Sequence, residues 1–351
     1  MNVPKWFKVV AYPSWFGLVF FISLYMTFPM STVRSKVVSG LEKAMGKGAQ
    51  GRHGSDPSVQ IGSMTLANGL GVKMTNVNLQ FGSRTPDPGM LLMLDELVLS
   101  TSVFSIFGSP SADLEAKLYG GTVDGHVELG NEKFAEEFLG ELKGLASGRM
   151  KPGDSLKSVK LDVDNLRLDM LPPMDTLQKM PLSGALTLNV DLDLGKDPSK
   201  EADGNINLAI EGGGLGPGEH PLAGSIPLIR LGKVSGVIDV KEGKGTSEVF
   251  KVDGQDLKAD ASVDLTLSKK VGNSRLKGTG WFQFDQAFLQ GDGSKIKMAY
   301  DLVPQLKRAK DDEEKVHFKL RGTLKKPGGS FDSSKGRSKA KTSSKRRKRN
   351  K

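Results

Sequence analysis

The feature of this sequence that most constrains its fold is a strict alternation of residue types between Leu182 and Leu194. Even-numbered positions carry leucine, valine or glycine, whereas odd-numbered positions are mostly polar. A period of two indicates a β-strand with one dry face and one solvated face. The pattern recurs in Leu257–Leu267 and Val316–Leu324, and more weakly in five other segments. The weaker segments are Leu70–Phe81, Leu94–Ser100, Asp113–Tyr119, Val159–Leu168 and Ile206–Ile210.

This alternation favours antiparallel strands, because parallel strands covered by helices on both faces would be apolar throughout. A doubly wound α/β fold is therefore not expected. Turn signals such as Gly120-Gly121, Asp253-Gly254 and Gly272-Asn273 separate the segments. Helical patterns are few. They lie at Val33–Met45, Glu132–Ala146, Met170–Lys179 and Asp301–Lys310. The predicted fold is mainly β, with one elongated antiparallel sheet and a few short helices.

A charge-free run of 22 residues, Val9–Met30, precedes the alternating segments. This run can cross a bilayer, whose core needs about 20 apolar residues. Lys5 and Lys8 favour a cytoplasmic N-terminus with the body outside, although Arg34 and Lys36 beyond the run weaken that charge bias. The residues expected to hold the anchor in the bilayer are Trp6, Trp15, Phe16, Phe20, Phe21 and Leu24.

A cleaved signal peptide and a buried core helix are the alternatives to an uncleaved anchor. A signal peptide has an apolar region of roughly 7–15 residues and a small-residue cleavage site. Thr27-Phe28-Pro29-Met30 is a poor cleavage site. The chain is thus expected to comprise a cytoplasmic stub, a transmembrane anchor, a juxtamembrane helix with a linker, a periplasmic β domain and a disordered basic tail. The expected bounds are 1–8, 9–30, 31–58, 59–328 and 329–351.

The net charge of +10 belongs to the C-terminal tail. Ser333–Lys351 contains ten basic residues and no acidic one, so 50 minus ten leaves 40 basic residues against 40 acidic residues before it. A neutral body makes nucleic acid an unexpected partner. The tail is expected either to be inert or to touch anionic lipid, lipopolysaccharide or nucleic acid. Its densest run is Lys345, Arg346, Arg347, Lys348 and Arg349.

Chemistry-bearing motifs are scarce. The sequence contains no cysteine, which excludes disulfides and thiolate sites. The four histidines, at positions 53, 126, 220 and 317, lack metal-ligand spacing and are interpreted as surface residues. Asp162 with Asp164, and Asp191 with Asp193, would share the solvated face of a strand, whereas a catalytic carboxylate pair needs a cleft and one raised pKa. We therefore expect no enzyme activity, no cofactor and no metal site.

Two glycine-containing segments resemble ligand loops only superficially. In Asp191–Asp197 the glycine comes one place too early for a calcium loop, and the segment alternates like a strand. Gly212–Gly218 lacks the Lys-Ser/Thr ending of a phosphate-binding loop. The first is interpreted as a strand end and the second as a flexible loop.

Three short motifs resemble those of AsmA-like proteins. Leu118–Gly125 is similar to their "LYGG" turn, Pro181–Leu186 to their strand entries, and Leu320–Pro327 to their closing "G-T-L" strand. Together with the N-terminal anchor, this order most resembles type II secretion system protein N (GspN) over residues 1–328. The resemblance implies a non-catalytic inner-membrane protein with a curved periplasmic β-sheet, and an accessory role in secretion.

Two functions are thus expected. The first is an accessory component of a type II secretion assembly, whose partners would be the bacterial inner membrane and other secretion proteins. The second is an AsmA-like lipid-binding or lipid-transfer protein, because a long apolar sheet face must be covered by helices, another sheet, a partner or lipid. An open apolar groove would favour the second function. The candidate apolar face is Leu186, Leu188, Val190, Leu192, Val263 and Leu265.

Overall fold

The computed structural model describes nine stretches of the chain. They are residues 30–45, 56–67, 71–81, 91–101, 111–129, 156–171, 180–220, 224–268 and 271–332. The predicted anchor up to residue 29, the predicted helix Glu132–Ala146 and the basic tail lie outside these residues.

Fourteen strands form one antiparallel sheet, in which each strand pairs with the strand before and after it in the order of the sheet. A separate two-stranded hairpin, β9 (Gly218–His220) and β10 (Gly224–Ile226), lies in the chain between β8 and β11. The strands of the large sheet are β1 (Ser58–Ala67), β2 (Gly71–Gln80), β3 (Leu91–Ser100), β4 (Ser111–Leu118), β5 (Gly121–Leu129), β6 (Leu156–Arg167), β7 (Leu182–Asp193), β8 (Asp203–Leu215), β11 (Ile229–Lys241), β12 (Lys244–Asp253), β13 (Leu257–Thr266), β14 (Arg275–Phe284), β15 (Val316–Thr323) and β16 (Lys326–Phe331). The predicted mainly β, antiparallel architecture is confirmed.

Local turn chemistry sets the register of the hairpins. The β4–β5 turn consists of Tyr119 and Gly120, with φ angles of 50° and 76°. Two consecutive positive φ angles define the tight turn whose twist matches that of paired strands. In β6, Asn165 has φ 52°, and the pairing with β7 shifts register between Val163 and Leu166. This bulge returns Leu166 to the same face as Val163, so the apolar face continues beyond it.

The described helices lie at three places in the chain, before β1, between β7 and β8, and between β14 and β15. They are α1 (Met30–Ala44), α2 (Pro198–Glu201), α3 (Gln286–Gln290), α4 (Ser294–Leu302) and α5 (Pro304–Ala309). Short 3-10 turns span Leu168–Met170 and Val271–Asn273. In the part of the chain that the structure describes, no helix has the length and apolarity that a membrane crossing needs.

The first helix confirms the helix predicted at Val33–Met45 and begins three residues earlier. It packs on β1 and contributes Val37, Val38 and Leu41 to the core. Arg34 donates a hydrogen bond to the carbonyl oxygen of Ile61, an edge group of β1. The edge of the sheet formed by β1 is therefore partly covered by α1.

Three buried clusters make up the core. The first is formed by β1–β6 and α1, with Leu186 and Leu188 of β7 packed against it, and includes Met74 and Val77, both fully buried. The second lies beside α2 and contains Leu194, Ala202, Val240, Leu265 and Leu267. The third lies under α3 and α4 and contains Ile226, Ile229, Phe288, Leu289 and Ile296.

Strand and helix boundaries differ modestly from the predictions. The segment Leu94–Ser100 proves to begin at Leu91, and Ile206–Ile210 is the middle of the longer β8. The region of Asp301–Lys310 holds the end of α4 and all of α5. The last strand runs to Phe331, beyond the expected domain boundary at residue 328.

Candidate functional site

One row of side chains crosses the whole sheet without a polar member. It contains one residue from each of the fourteen strands, each directly opposite the next in the register. We call it the central row. Its members, from β1 to β16, are Met64, Met74, Leu97, Ala116, Val123, Val163, Leu188, Leu208, Gly236, Phe250, Ala261, Gly280, Phe318 and Phe331. At a strand spacing of about 4.8 Å, the row is about 60 Å long.

Apolar residues also flank the central row along each strand. In β7 the face comprises Leu186, Leu188, Val190 and Leu192, all half-buried. Ile206, Leu208 and Ile210 continue it directly opposite in β8, and are also half-buried. The predicted face of β7 and the predicted residues Val263 and Leu265 of β13 therefore belong to one surface of the sheet. Val263 and Leu265 differ from the β7 residues in being buried, at 7% and 4% exposure.

Burial changes along the central row. Met74, Leu97, Ala116 and Val163 are buried, in strands that belong to the first cluster, whereas Met64 of β1 and Val123 of β5 are half-buried. From β7 to β15 the row is half-buried except at the buried Gly236, and Phe331 at the β16 edge is 41% exposed. The row is thus a packed core at one end and an accessible apolar surface at the other.

Buried clusters border the accessible part of the row at both ends of the strands. The second cluster contains Val240 and Leu265 at one strand end, and the third contains Ile229 at the other. Between them, the half-buried stretch of β11 runs from Val234 to Ile238, which is about 13 Å along the strand. We call the half-buried apolar residues of β7–β15 between the two clusters the apolar band.

Aromatic rings lie across glycines within the apolar band. A Cβ atom at Gly236 would overlap the Phe250 ring, and one at Gly280 would lie 2.6 Å from Phe318 Cζ. Phe318, Phe282, Phe284 and Phe288 then follow one another at centroid separations of 6.1, 6.0 and 5.9 Å, ending on α3. The absence of a Cβ atom at Gly236 and Gly280 therefore leaves the space that the Phe250 and Phe318 rings occupy.

One polar group interrupts the band. The hydroxyl of Ser247 in β12 is 4% exposed and has no hydrogen-bond partner among the described residues. Ser247 lies directly opposite Val263, whose side chain belongs to the apolar face. An unpaired buried hydroxyl costs free energy that a bound hydrogen-bond acceptor could recover.

The opposite face of the sheet is polar, and Lys73, Lys117 and Lys160 on it form ion pairs with carboxylates. Lys73 and Lys117 lie 2.7 and 3.7 Å from the Glu96 carboxylate, and the hydrogen bond from Lys73 lowers the pKa of Glu96. His126 Nδ1 lies 2.5 Å from Asp113 Oδ1, and this hydrogen bond raises the pKa of His126. These groups are partly exposed, and their contacts are those of a solvated sheet face.

The predicted carboxylate pairs lie on this polar face. Asp162 accepts a hydrogen bond from Asn189, and Asp191 lies 3.1 Å from Lys160. Neither contact forms a cleft. His317 contacts Asp311 at 2.7 Å, where burial alone would raise the pKa of Asp311. The hydrogen bonds from His317 and from the Lys315 and Glu313 amides outweigh that burial, so the pKa of Asp311 is lowered.

Among the described residues, no group of three or more histidines and carboxylates has metal-binding geometry. His53, the anchor residues from Trp6 to Leu24 and the tail residues from Lys345 to Arg349 lie outside the described part. Neither the central row nor the aromatic–glycine pairs were predicted from the sequence. The phenylalanines and glycines of β12–β15 are visible in the sequence. Which phenylalanine lies opposite which glycine, however, depends on the register between neighbouring strands.

No protein-family model, curated protein or solved structure matches this chain. The similarity to AsmA-like proteins and to GspN therefore rests on the three sequence motifs.

Proposed function

We propose that this chain is a non-catalytic, inner-membrane-anchored protein of the bacterial envelope whose apolar band binds the acyl chains of lipids. The observation that carries this proposal is the central row, which stays apolar across fourteen strands and is half-buried at six of its seven members from β7 to β15. Half-buried apolar side chains in a continuous band gain free energy when a partner covers the area that they still expose.

The dimensions of the band suit acyl chains. The hydrocarbon core of a bilayer is about 30 Å thick, so one leaflet of extended chains is about 15 Å. The apolar band crosses seven strands, β7, β8 and β11–β15, which at a spacing of about 4.8 Å is about 29 Å, or roughly two such lengths. In this proposal the sheet curves around the chains as in the AsmA-like proteins that the sequence resembles, while headgroups stay at the solvated rim.

The position of α1 supports a link to the membrane. This helix begins at Met30, where the predicted span ends, and packs on β1, the first strand of the row. The orientation with the body in the periplasm follows from the lysines before the predicted span.

The test is photo-crosslinking of the full chain in vesicles of phosphatidylethanolamine and phosphatidylglycerol. A photoreactive residue is placed at Leu188, Leu208 or Phe250 on the band. Matched controls carry it one position away on the polar face, at Thr187, Asn207 or Lys251. We expect phospholipid adducts from the three band positions and few from the controls.

Equal labelling of the two faces would contradict the proposal. Protein adducts at the band in native envelopes, with no lipid adducts, would favour the accessory secretion role instead. That role rests on the sequence resemblance and remains a prediction.

A further inference from the structure

The two edges of the large sheet differ in what covers them. At β1, the helix α1 packs on the strand, and Arg34 donates a hydrogen bond to the carbonyl oxygen of Ile61. At β16, the short helix α5 lies near the strand, yet all six residues from Lys326 to Phe331 are exposed. An exposed edge strand offers backbone N–H and C=O groups to another strand. The β16 edge is therefore where the described sheet can take up a further strand.

The hydrogen bonds between β15 and β16 show which backbone groups face outward. The amide of Asp332 donates to the carbonyl oxygen of His317 at 2.8 Å, so these two residues form a hydrogen-bonded pair. In an antiparallel ladder such pairs alternate with pairs that do not bond each other. The even-numbered residues of β16 therefore bond to β15. The odd-numbered residues direct their backbone groups outward, and they are Pro327, Gly329 and Phe331.

These outward groups are complementary to those of the same strand in a second copy of the chain. A two-fold axis at Gly329 makes the two strands antiparallel and places Phe331 of each copy opposite Pro327 of the other. The two Gly329 residues then bond each other through both N–H groups. Each Phe331 amide donates to the carbonyl oxygen of the opposite Pro327. Proline has no N–H, so the Phe331 carbonyl oxygens stay solvated.

The side chains also match in this arrangement. On the polar face, Lys326 lies directly opposite Asp332 of the second copy, whose carboxylate is 3.0 Å from its own Lys319. The two Lys326 residues are about 20 Å apart along the strands, whereas parallel pairing would place them side by side and they would repel. On the apolar face, Phe331, which is 41% exposed, lies against the opposite Pro327.

We propose that two copies of this chain associate through their β16 edges, with the two-fold axis at Gly329. The contact joins the two large sheets into one. Both apolar faces lie on the same side of the joined sheet, because the axis is perpendicular to it. The two copies of α1 lie at its far ends, so neither predicted anchor obstructs the contact. The contact uses the strand edge and does not depend on lipid binding by the apolar band.

Cysteine substitutions test both the partner and the register, since the sequence contains no cysteine. In Gly329→Cys the two thiols lie on directly opposite residues, whose Cα atoms are about 5.5 Å apart, within the range of a disulfide. The nearest atom to a Cβ at Gly329 is 4.0 Å away, so the side chain fits. Gly328→Cys and Ser330→Cys are opposite each other but not opposite themselves. Ser63→Cys, exposed on the β1 edge strand, is the control.

The full-length variants are oxidised in detergent at equal concentration, and non-reducing gels measure the rate of crosslinking. We expect Gly329→Cys to crosslink at least about tenfold faster than Ser63→Cys, because association raises the effective thiol concentration. Gly328→Cys and Ser330→Cys should each crosslink slowly alone. Their mixture should crosslink at least about tenfold faster than either alone, because the register makes them opposite.

A proline at the axis gives a second readout without cysteine. Gly329→Pro removes an outward N–H and leaves the bonds to β15 in place, so the monomer should stay folded. The dissociation constant of the dimer, measured by sedimentation in detergent, should rise at least about tenfold, because two hydrogen bonds are lost. Gly329→Ala keeps the N–H and should dimerise as the wild type does.

The proposal is overturned if Gly329→Cys crosslinks no faster than Ser63→Cys. It is also overturned if Gly328→Cys or Ser330→Cys alone crosslinks as fast as Gly329→Cys, since the register would then be different. A wild-type chain that sediments as a monomer, unchanged by Gly329→Pro, would equally contradict it. In that case Pro327 and Lys326 would serve to protect a solvated edge.

Discussion

The two halves of the sheet are built from the same alternating strands, yet they use their apolar faces differently. In β1–β6 the face is a packed core under α1, with Met74 and Val77 fully buried. In β7 and β8 the corresponding residues, from Leu186 to Ile210, are all half-buried. The same central row therefore stabilises the fold in the first half and presents an accessible surface in the second. Alternation marks which face is apolar, but not whether that face is covered.

The polar faces of the two halves differ as well. The first half pairs cations with carboxylates, as at Lys73 and Glu96, whereas the β16 edge leaves Lys277 and Arg321 opposed. Opposed like charges do not stabilise a sheet, but the second half also has matched pairs, such as Lys319 with Asp332 at 3.0 Å, so this cost is local to β14 and β15. Regions that bind ligands are commonly drawn from the less stable parts of a protein.

The largest effect should come from placing a charge in the covered half of the central row. Met74→Asp buries an unpaired carboxylate at a position with 0% exposure, so we expect a loss of more than about 4 kcal/mol in the free energy of unfolding. Met74→Leu conserves volume and should cost less than about 1.5 kcal/mol. Urea denaturation measures the free energy of unfolding of both variants. A folded Met74→Asp protein of near wild-type stability would mean that the first half is not a packed core.

The same charge in the half-buried part of the central row should reduce the free energy of unfolding less, and should weaken lipid binding. Leu188→Asp lies in the same row, but its side chain is half-buried and can reach solvent, so we expect a loss of about 1–2 kcal/mol. Lipid adducts at Leu208, directly opposite, should fall strongly. Thr187→Asp is the control, because Thr187 is the neighbouring residue of β7 and is exposed on the polar face. A loss as large as that of Met74→Asp would place Leu188 in a closed core.

A smaller gain is expected at the polar group within the band. Ser247→Ala removes a buried hydroxyl that lacks a partner among the described residues, so the lipid-free protein should gain about 1 kcal/mol. Thermal melting in detergent without added lipid measures the change. Ser262→Ala, on the exposed face of the next strand, serves as the comparison and should lie within about 0.5 kcal/mol of wild type. A loss of stability in Ser247→Ala would show that the hydroxyl is already satisfied.

The smallest effect concerns pH in the first half. The hydrogen bond to Asp113 raises the pKa of His126, so its stabilisation is fully present below the unfolded value of about 6.5 and is lost as pH rises through the folded pKa. Asp113→Asn should therefore lower stability by less than about 1 kcal/mol at pH 5.5, because the pair is partly exposed, and by almost nothing at pH 8.5. Urea midpoints at both pH values check this. If the stability lost in Asp113→Asn increased with pH, the hydrogen bond to Asp113 would not be the cause of the raised pKa of His126.

The sequence by itself determined the class of the fold and the two-sided character of its strands. Period two is a local consequence of the pleat, so the faces of β7, β13 and β15 follow directly from Leu188, Val263 and Phe318. The "LYGG" motif likewise predicts a tight turn, because glycine tolerates the positive φ found at Gly120. The helix at Val33–Met45 also follows from local pattern.

Only the tertiary structure decided how those faces join and which part of them is covered. The central row depends on bulges such as that at Asn165 and on the register of strands joined by longer connections, such as β14 and β15, neither of which leaves a local signal. Phe250 over Gly236 and Lys277 opposite Arg321 exist only through that pairing. Coverage is decided by what packs above the sheet, since Val163 and Leu188 are direct neighbours in one row and equally apolar, yet only Val163 is buried.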